Sequence, residues 1–247
     1  MVRWIRVLSA CLAILPGACG RKDESLTVLC GNSFLAPTET LLKEARERAG
    51  VDVVFTTGGS EDLLPNVKAK SVGDVFITHD PYLDYTKEAG SYADHADVGV
   101  LAPVLAVAKG NPGKIRSFED LARPGLRVAI SDPKYTTCGQ MLVKLLRKKG
   151  LHDAVMKNVE NRLIKGHSAL GNLVKTGAVD AAVLWNGVAF TFRDSLEVVP
   201  TPYEYETEVR VRVIALGYSR RPDRLRAFMS FVKAEGPGIF ARHGYVK

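Results

Sequence analysis

The stretch Leu26-Thr27-Val28-Leu29-Cys30-Gly31-Asn32-Ser33 reads as a short apolar strand that ends in a glycine turn and opens a helix. The same sequence of events recurs further along. Thr57-Gly58-Gly59-Ser60, Thr137-Cys138-Gly139-Gln140 and Lys165-Gly166-His167-Ser168 each follow an apolar run of strand type and precede a helical pattern. The first turn of a helix leaves several backbone N–H groups without partners, and its dipole end is positive. Glycine lets the backbone approach a ligand closely. Any one of these turns also reads as an ordinary helix cap. As a set they predict a site that holds a small anion without a cofactor.

Outward from the turns, strands are expected at residues 26–29, 51–56 and 74–78. A helix should run from about residue 33 to 49, where Pro37 suits a first turn. Ser60 should cap a second helix whose first turn carries Glu61 and Asp62, as the dipole prefers. Strands alternating with helices at this spacing predict a parallel sheet with helical crossovers. Residues 98–108 form a longer apolar segment that ends at the loop signal Lys109-Gly110-Asn111-Pro112. Ser117-Phe118-Glu119-Asp120 resembles a capping box. The pattern then restarts, with strands at 127–130 and 181–184 and helices at 139–149 and 168–176. Val209–Leu216 is a second long apolar segment, and helical patterns follow at 222–234 and 237–243.

This is the pattern of an α/β chain in two lobes, one of residues 25–101 plus 209–247 and one of residues 102–208. The chain should cross between them twice, at 98–108 and at Val209–Leu216. Ligands of open parallel sheets lie beyond the carboxyl ends of the strands, which puts the cleft between the lobes.

The chain has 247 residues and a formal net charge of +7. Its positive residues never run to five in a row, and no aromatic residues interleave with a basic stripe, so nucleic acid is not an expected partner. At the N-terminus, Arg3 and Arg6 precede an apolar stretch at residues 7–15 and then Pro16-Gly17-Ala18-Cys19. The stretch is far short of the ~20 apolar residues of a spanning helix and fits a secretory signal. Small residues ahead of Cys19 resemble a lipoprotein cleavage box, with Pro16 where such boxes favour leucine. Residues 1–18 are therefore expected to be removed and Cys19 lipidated, which leaves a formal charge of +5. A plain secretory signal is the alternative. Beyond Cys19 the mature chain holds Cys30 and Cys138, and because each sits in a ligand turn of a different lobe, a disulfide is not expected.

Taken together, several segments resemble the periplasmic molybdate-binding proteins, the solute-binding components of ABC importers. The segments are residues 26–33, Gly73-Asp74-Val75-Phe76-Ile77, Asp120-Leu121-Ala122-Arg123-Pro124-Gly125 through Asp132-Pro133, Gly177-Ala178-Val179-Asp180-Ala181, and Ile239-Phe240-Ala241-Arg242-His243-Gly244-Tyr245. The resemblance implies a type II periplasmic binding fold, a monomer without cofactor, an ion or small-molecule ligand, a permease partner and a periplasmic or cell-surface location. Carried over by position, the family's two ligand serines fall on Ser33 and Ser60. Two backbone N–H donors fall on Cys138 and His167, and its tyrosine on Trp185. Three of these five positions differ from the family in side chain.

Three chemistries remain open at this point. Hydroxyls and amides without a fixed countercharge suit a tetrahedral oxyanion such as molybdate or tungstate. Cys30, His79, Cys138 and His167 would suit a soft metal ion or arsenite if the fold brought them together. Cys138 at a helix N-terminus, with His167 as base, would make a nucleophile.

Overall fold

The computed structural model describes residues 25–246. The expected signal segment and Cys19 lie outside them. In chain order, β1 (Leu26–Gly31), α1 (Leu35–Ala49), β2 (Val53–Gly58), α2 (Ser60–Lys68), β3 (Val75–His79), α3 (Tyr82–Glu88) and β4 (Tyr92–Leu101) come first. Next come β5 (Pro103–Ala108), β6 (Val128–Ser131), α4 (Thr137–Lys148), α5 (His152–Val159), β7 (Leu163–Ile164), α6 (His167–Lys175), β8 (Ala181–Trp185), α7 (Asn186–Thr191) and β9 (Leu196–Val199). Then β10 (Val209–Leu216) and α8 (Pro222–Arg242) close the chain.

The strands form two five-stranded sheets, ordered β2-β1-β3-β10-β4 and β7-β6-β8-β5-β9. Within each, the strands that feed the glycine turns run parallel, β1 with β2 and β3, and β6 with β7 and β8. β3, β6 and β8 are buried throughout, and β1 nearly so. Burial on both faces explains why they read as unbroken apolar runs rather than alternating ones.

The chain leaves the first sheet at Leu101 and enters the second at Pro103, so the apolar run 98–108 is two strands hinged at Ala102. Asn186 holds that hinge: its Oδ1 accepts from Ala102 N–H at 3.2 Å and its Nδ2 donates to Val100 O at 3.1 Å. The return lies in residues 200–208. Val209–Leu216 is thus not a crossing itself. It is a strand inserted antiparallel between β3 and β4, with Val211 opposite His79 and Val213 opposite Ile77.

The two helical patterns expected at the C-terminus are one helix of 21 residues with Pro237 inside it. Packing outweighs the proline's lost hydrogen bond. Phe228, Val232, Ile239 and Phe240 are buried along α8, and Gly236 lets it close on β4, where a Cβ would come 2.8 Å from Val98 Cγ1. The helices α3, α5 and α7 were not expected; at six to eight residues each they are too short for a clear helical stripe.

Gly139 marks the tightest approach of helix to strand. A Cβ there would lie 2.2 Å from Ser131 O and 2.7 Å from Pro133 N, both backbone atoms. Gly139→Ala is expected to lower the unfolding free energy by about 1–3 kcal/mol or more. Gly238→Ala, on the exposed face of α8 with open space around it, should raise it by about 0.5–1 kcal/mol. Urea denaturation of both variants checks the pair.

Candidate functional site

The carboxyl ends of the parallel strands face each other across the gap between the sheets. A cavity of about 250 Å³ fills that gap, room for a tetrahedral oxyanion and a few waters. The first sheet's side contributes Ser33, Ser60, His79 and Tyr82, and the second contributes Thr136, Thr137, His167 and Trp185.

Ser60 was expected to cap α2, but Gly59 takes that place in extended backbone and Ser60 is the first helical residue. Its hydroxyl accepts a hydrogen bond from Thr78 Oγ1 at 2.9 Å. Thr78 is fully buried, so Ser60 is held in place and its own proton remains for another acceptor. The turn needs Gly31, because a Cβ there would come within 2.9 Å of Ser60 Oγ. On the next turn, the Ser33 carbonyl accepts from the Tyr245 hydroxyl.

Three helices start at the cavity: α2, α4 and α6. The Thr136 hydroxyl caps α4 by accepting from Gly139 N–H at 3.1 Å. Among the described residues, the N–H groups of Ser60 and Glu61, Thr137 and Cys138, and His167 and Ser168 have no protein partner. These are the orphan donors that a helix start presents to an anion.

An aromatic cluster closes the floor. Trp185 stacks on His167 with centroids 5.5 Å apart and meets His79 edge-on at 6.0 Å. His79 Nδ1 lies 2.6 Å from Asp80 O, and His167 Nδ1 lies 3.2 Å from Ser131 Oγ. Burial is the main cause that lowers both imidazoles, His167 to about 3. Both rings are therefore neutral at pH 7. The charged side chains lining the cavity are Lys165, Glu61 and Asp62, and they pair with one another at the mouth. Lys165 Nζ, from the second-sheet side, lies 3.1 Å from both Asp62 oxygens and 3.3 Å from Glu61 Oε1. The pairs are half exposed, so each contributes at most about 1 kcal/mol.

Five of the seven expected site residues line the cavity: Ser33, Ser60, His79, His167 and Trp185. The side chains of Cys30 and Cys138 do not. Both thiols are buried in the core, and both are free. Cys30 Sγ donates to Thr38 Oγ1 at 3.3 Å and Gly31 O at 3.4 Å, and Cys138 pairs with the Ser131 hydroxyl. Burial pushes each thiol up to about 12, so the lowered pKa expected of Cys138 at a helix N-terminus is reversed by desolvation. The soft-metal set of Cys30, His79, Cys138 and His167 is not assembled. Among the described residues no group of three or more His, Cys, Asp or Glu could hold a metal ion.

The expected site residues did not include Thr78, Thr136 or Tyr82, and Lys165 stood out only as part of the turn Lys165-Gly166-His167-Ser168. Thr136 carried a signal, a hydroxyl three residues ahead of Gly139 at a helix start. Thr78 carried none, because its partner Ser60 is 18 residues away.

Residues 26–246 match the family model described as bacterial extracellular solute-binding protein. The chain belongs to that family. It is 32% identical over 202 residues to the molybdate-binding protein ModA of Mycobacterium tuberculosis, covering 80% of this chain and 75% of that one. The periplasmic molybdate-binding protein of Azotobacter vinelandii superposes with a TM-score of 0.74 at 20% identity, over 90% of this chain and 99% of that one. The sulfate-binding protein SubI of Mycobacterium tuberculosis does so with a TM-score of 0.70 at 16% identity, over 90% and 86%. This solute-binding protein therefore has the two-lobed type II periplasmic fold, as its resemblance to the molybdate-binding proteins implied.

In the native protein, neither Cys30 nor Cys138 should react with a thiol alkylating reagent at pH 8, and both should react in denaturant. Mapping the labelled peptides by mass spectrometry checks this. Rapid labelling of Cys138 under native conditions would restore the nucleophile reading.

Proposed function

We propose that this solute-binding protein captures a small tetrahedral oxyanion of the molybdate or tungstate type and presents it to an ABC permease. The observation that carries the reading is the donor set of the cavity. Ser33 and Ser60 hydroxyls and three helix N-termini converge on a space whose charged side chains are already paired. Such a site suits a compact dianion and spreads its charge over dipoles. The relatives named for molybdate and sulfate support the same class of ligand.

Under this reading the lobes are residues 25–101 with 209–247, and residues 102–208, and they close on the ligand. Cys138 and His167 contribute through their backbone N–H groups, and Trp185 through its indole N–H. The soft-metal reading loses both of its thiolates to the core, and the enzyme reading loses its activated thiol. Export and lipid attachment at Cys19 complete the proposal. A Cys19→Ala variant should move from the membrane fraction to the soluble fraction on cell fractionation, and full retention in the membrane would overturn the anchor.

Ser33→Ala or Ser60→Ala should each weaken molybdate binding. The loss of a hydrogen bond to a charged ligand costs roughly 1.5–3 kcal/mol, or about ten- to a hundredfold in Kd. Cys138→Ala keeps the backbone donor and should bind within about threefold of the unaltered protein. Calorimetric titration with molybdate, tungstate and sulfate measures all three. Unchanged affinity in both serine variants would overturn the reading.

A further inference from the structure

Away from the charged mouth of the cavity, His79 works against an oxyanion as it stands. His79 lines the cavity, and its Nδ1 lies 2.6 Å from the carbonyl oxygen of Asp80. A carbonyl oxygen only accepts, so Nδ1 carries the ring proton. In the neutral ring, Nε2 is then a bare lone pair. A fully ionised oxyanion has no proton to offer it, so an anion placed against Nε2 would set lone pair against negative oxygen. We propose that anion capture in this cavity takes up one proton from solvent at His79, which turns Nε2 from an acceptor into a charge-assisted donor to the bound anion. The inference rests on the oxyanion reading. No bond other than N–H forms or breaks, and a bound dianion together with the imidazolium carries a net charge of −1.

The surroundings select His79 over its neighbour. Desolvation disfavours its charged form, while the Asp80 carbonyl, the Asp80 carboxylate and Glu61 at the start of α2 favour it. The Asp80 carboxylate is itself held by Arg212 Nε at 3.0 Å, from β10, the strand packed beside His79. Tyr82 of α3 packs edge-on at 5.2 Å, and burial raises its hydroxyl to about 12, so it stays neutral. From the second lobe, Trp185 does not titrate. His167 is opposed both by burial and by His79, with no acid to favour its charge, and the Cys138 thiol behind Ser131 is neutral. Lys165 at the mouth is engaged by Glu61 and Asp62. One positive imidazole is therefore the limit, and His79 is the one that bears it.

The sign follows from linkage. Burial holds His79 neutral by lowering it from its ordinary value, and a nearby dianion favours the protonated ring. The bound state then holds more protons than the free state, so affinity rises as pH falls. Titrating the full-length protein with sodium molybdate, in two buffers of different ionisation enthalpy, counts the protons. The expected result is a net uptake approaching one proton. Kd should tighten, by at most tenfold per pH unit, as pH is lowered from about 7.5 to about 5.5. His79→Gln, which offers an amide but cannot titrate, should abolish both the uptake and the slope. His167→Gln should keep the uptake. Molybdate binding with no proton uptake, or an undiminished slope in His79→Gln, would overturn the inference and leave the oxyanion reading standing. No molybdate binding at any of these pH values would overturn that reading and the inference with it. Should His79→Gln fail to fold, the proton count on the unaltered protein decides alone.

Discussion

The insertion of Val209–Leu216 between Val75–His79 and Tyr92–Leu101 is the constraint on which the rest of the molecule depends. It is a non-local pairing, closing a loop that contains the whole second sheet. Because this strand runs antiparallel to its neighbours, the chain can leave the first sheet at Leu101 and return at Val209 on the same side. Both connections therefore lie side by side, and the two sets of parallel strands point their carboxyl ends at one gap. The same strand supplies Arg212, whose hold on Asp80 braces the end of Val75–His79, where His79 enters the cavity. A local change in this strand therefore reaches the site through backbone pairing and through a side chain.

The cavity manages charge by distribution. Its acids and its one cation pair at the mouth, and its interior offers hydroxyls, helix starts and neutral rings. Burial keeps the imidazoles of His79 and His167 uncharged and keeps both thiols protonated. The same desolvation keeps the Cys138 thiol from being the activated nucleophile expected of it, and the placing of both thiols in the core leaves the expected soft-metal set unassembled.

Tyr245 ties the C-terminus to both lobes. Its hydroxyl donates to the Ser33 carbonyl, its ring packs on Phe34 and Phe240 at 5.8 and 5.5 Å, and its carbonyl accepts from Val100 N–H at 3.0 Å. A Cβ on Gly187 would lie 2.3 Å from the ring, so α7 of the second sheet is seated directly against it. The contact that shapes the serine turn is thus also a contact across the hinge, and the C-terminal segment acts on the site without lining it.

The order of strand, glycine turn and helix was legible in the sequence because it is local. Apolar runs, glycines and caps lie within a few residues of each other, and they determined the α/β class, the starts of the site helices to within a few residues, and the serines on the first lobe. What tertiary structure decided was which side chains of those turns face the cavity. The expected helix at 139–149 begins two residues earlier, at Thr137. Successive helical residues point about 100° apart, so neighbours at a helix start face different ways. Packing of this helix puts Thr136 and Thr137 at the cavity and Cys138 in the core. Likewise the support of Ser60 by Thr78, the tautomer of His79 set by the Asp80 carbonyl, and the place of Val209–Leu216 inside a sheet all depend on partners brought together by folding. A sequence pattern records the periodicity of one segment, whereas these features belong to pairs of segments, and only packing brings such pairs together.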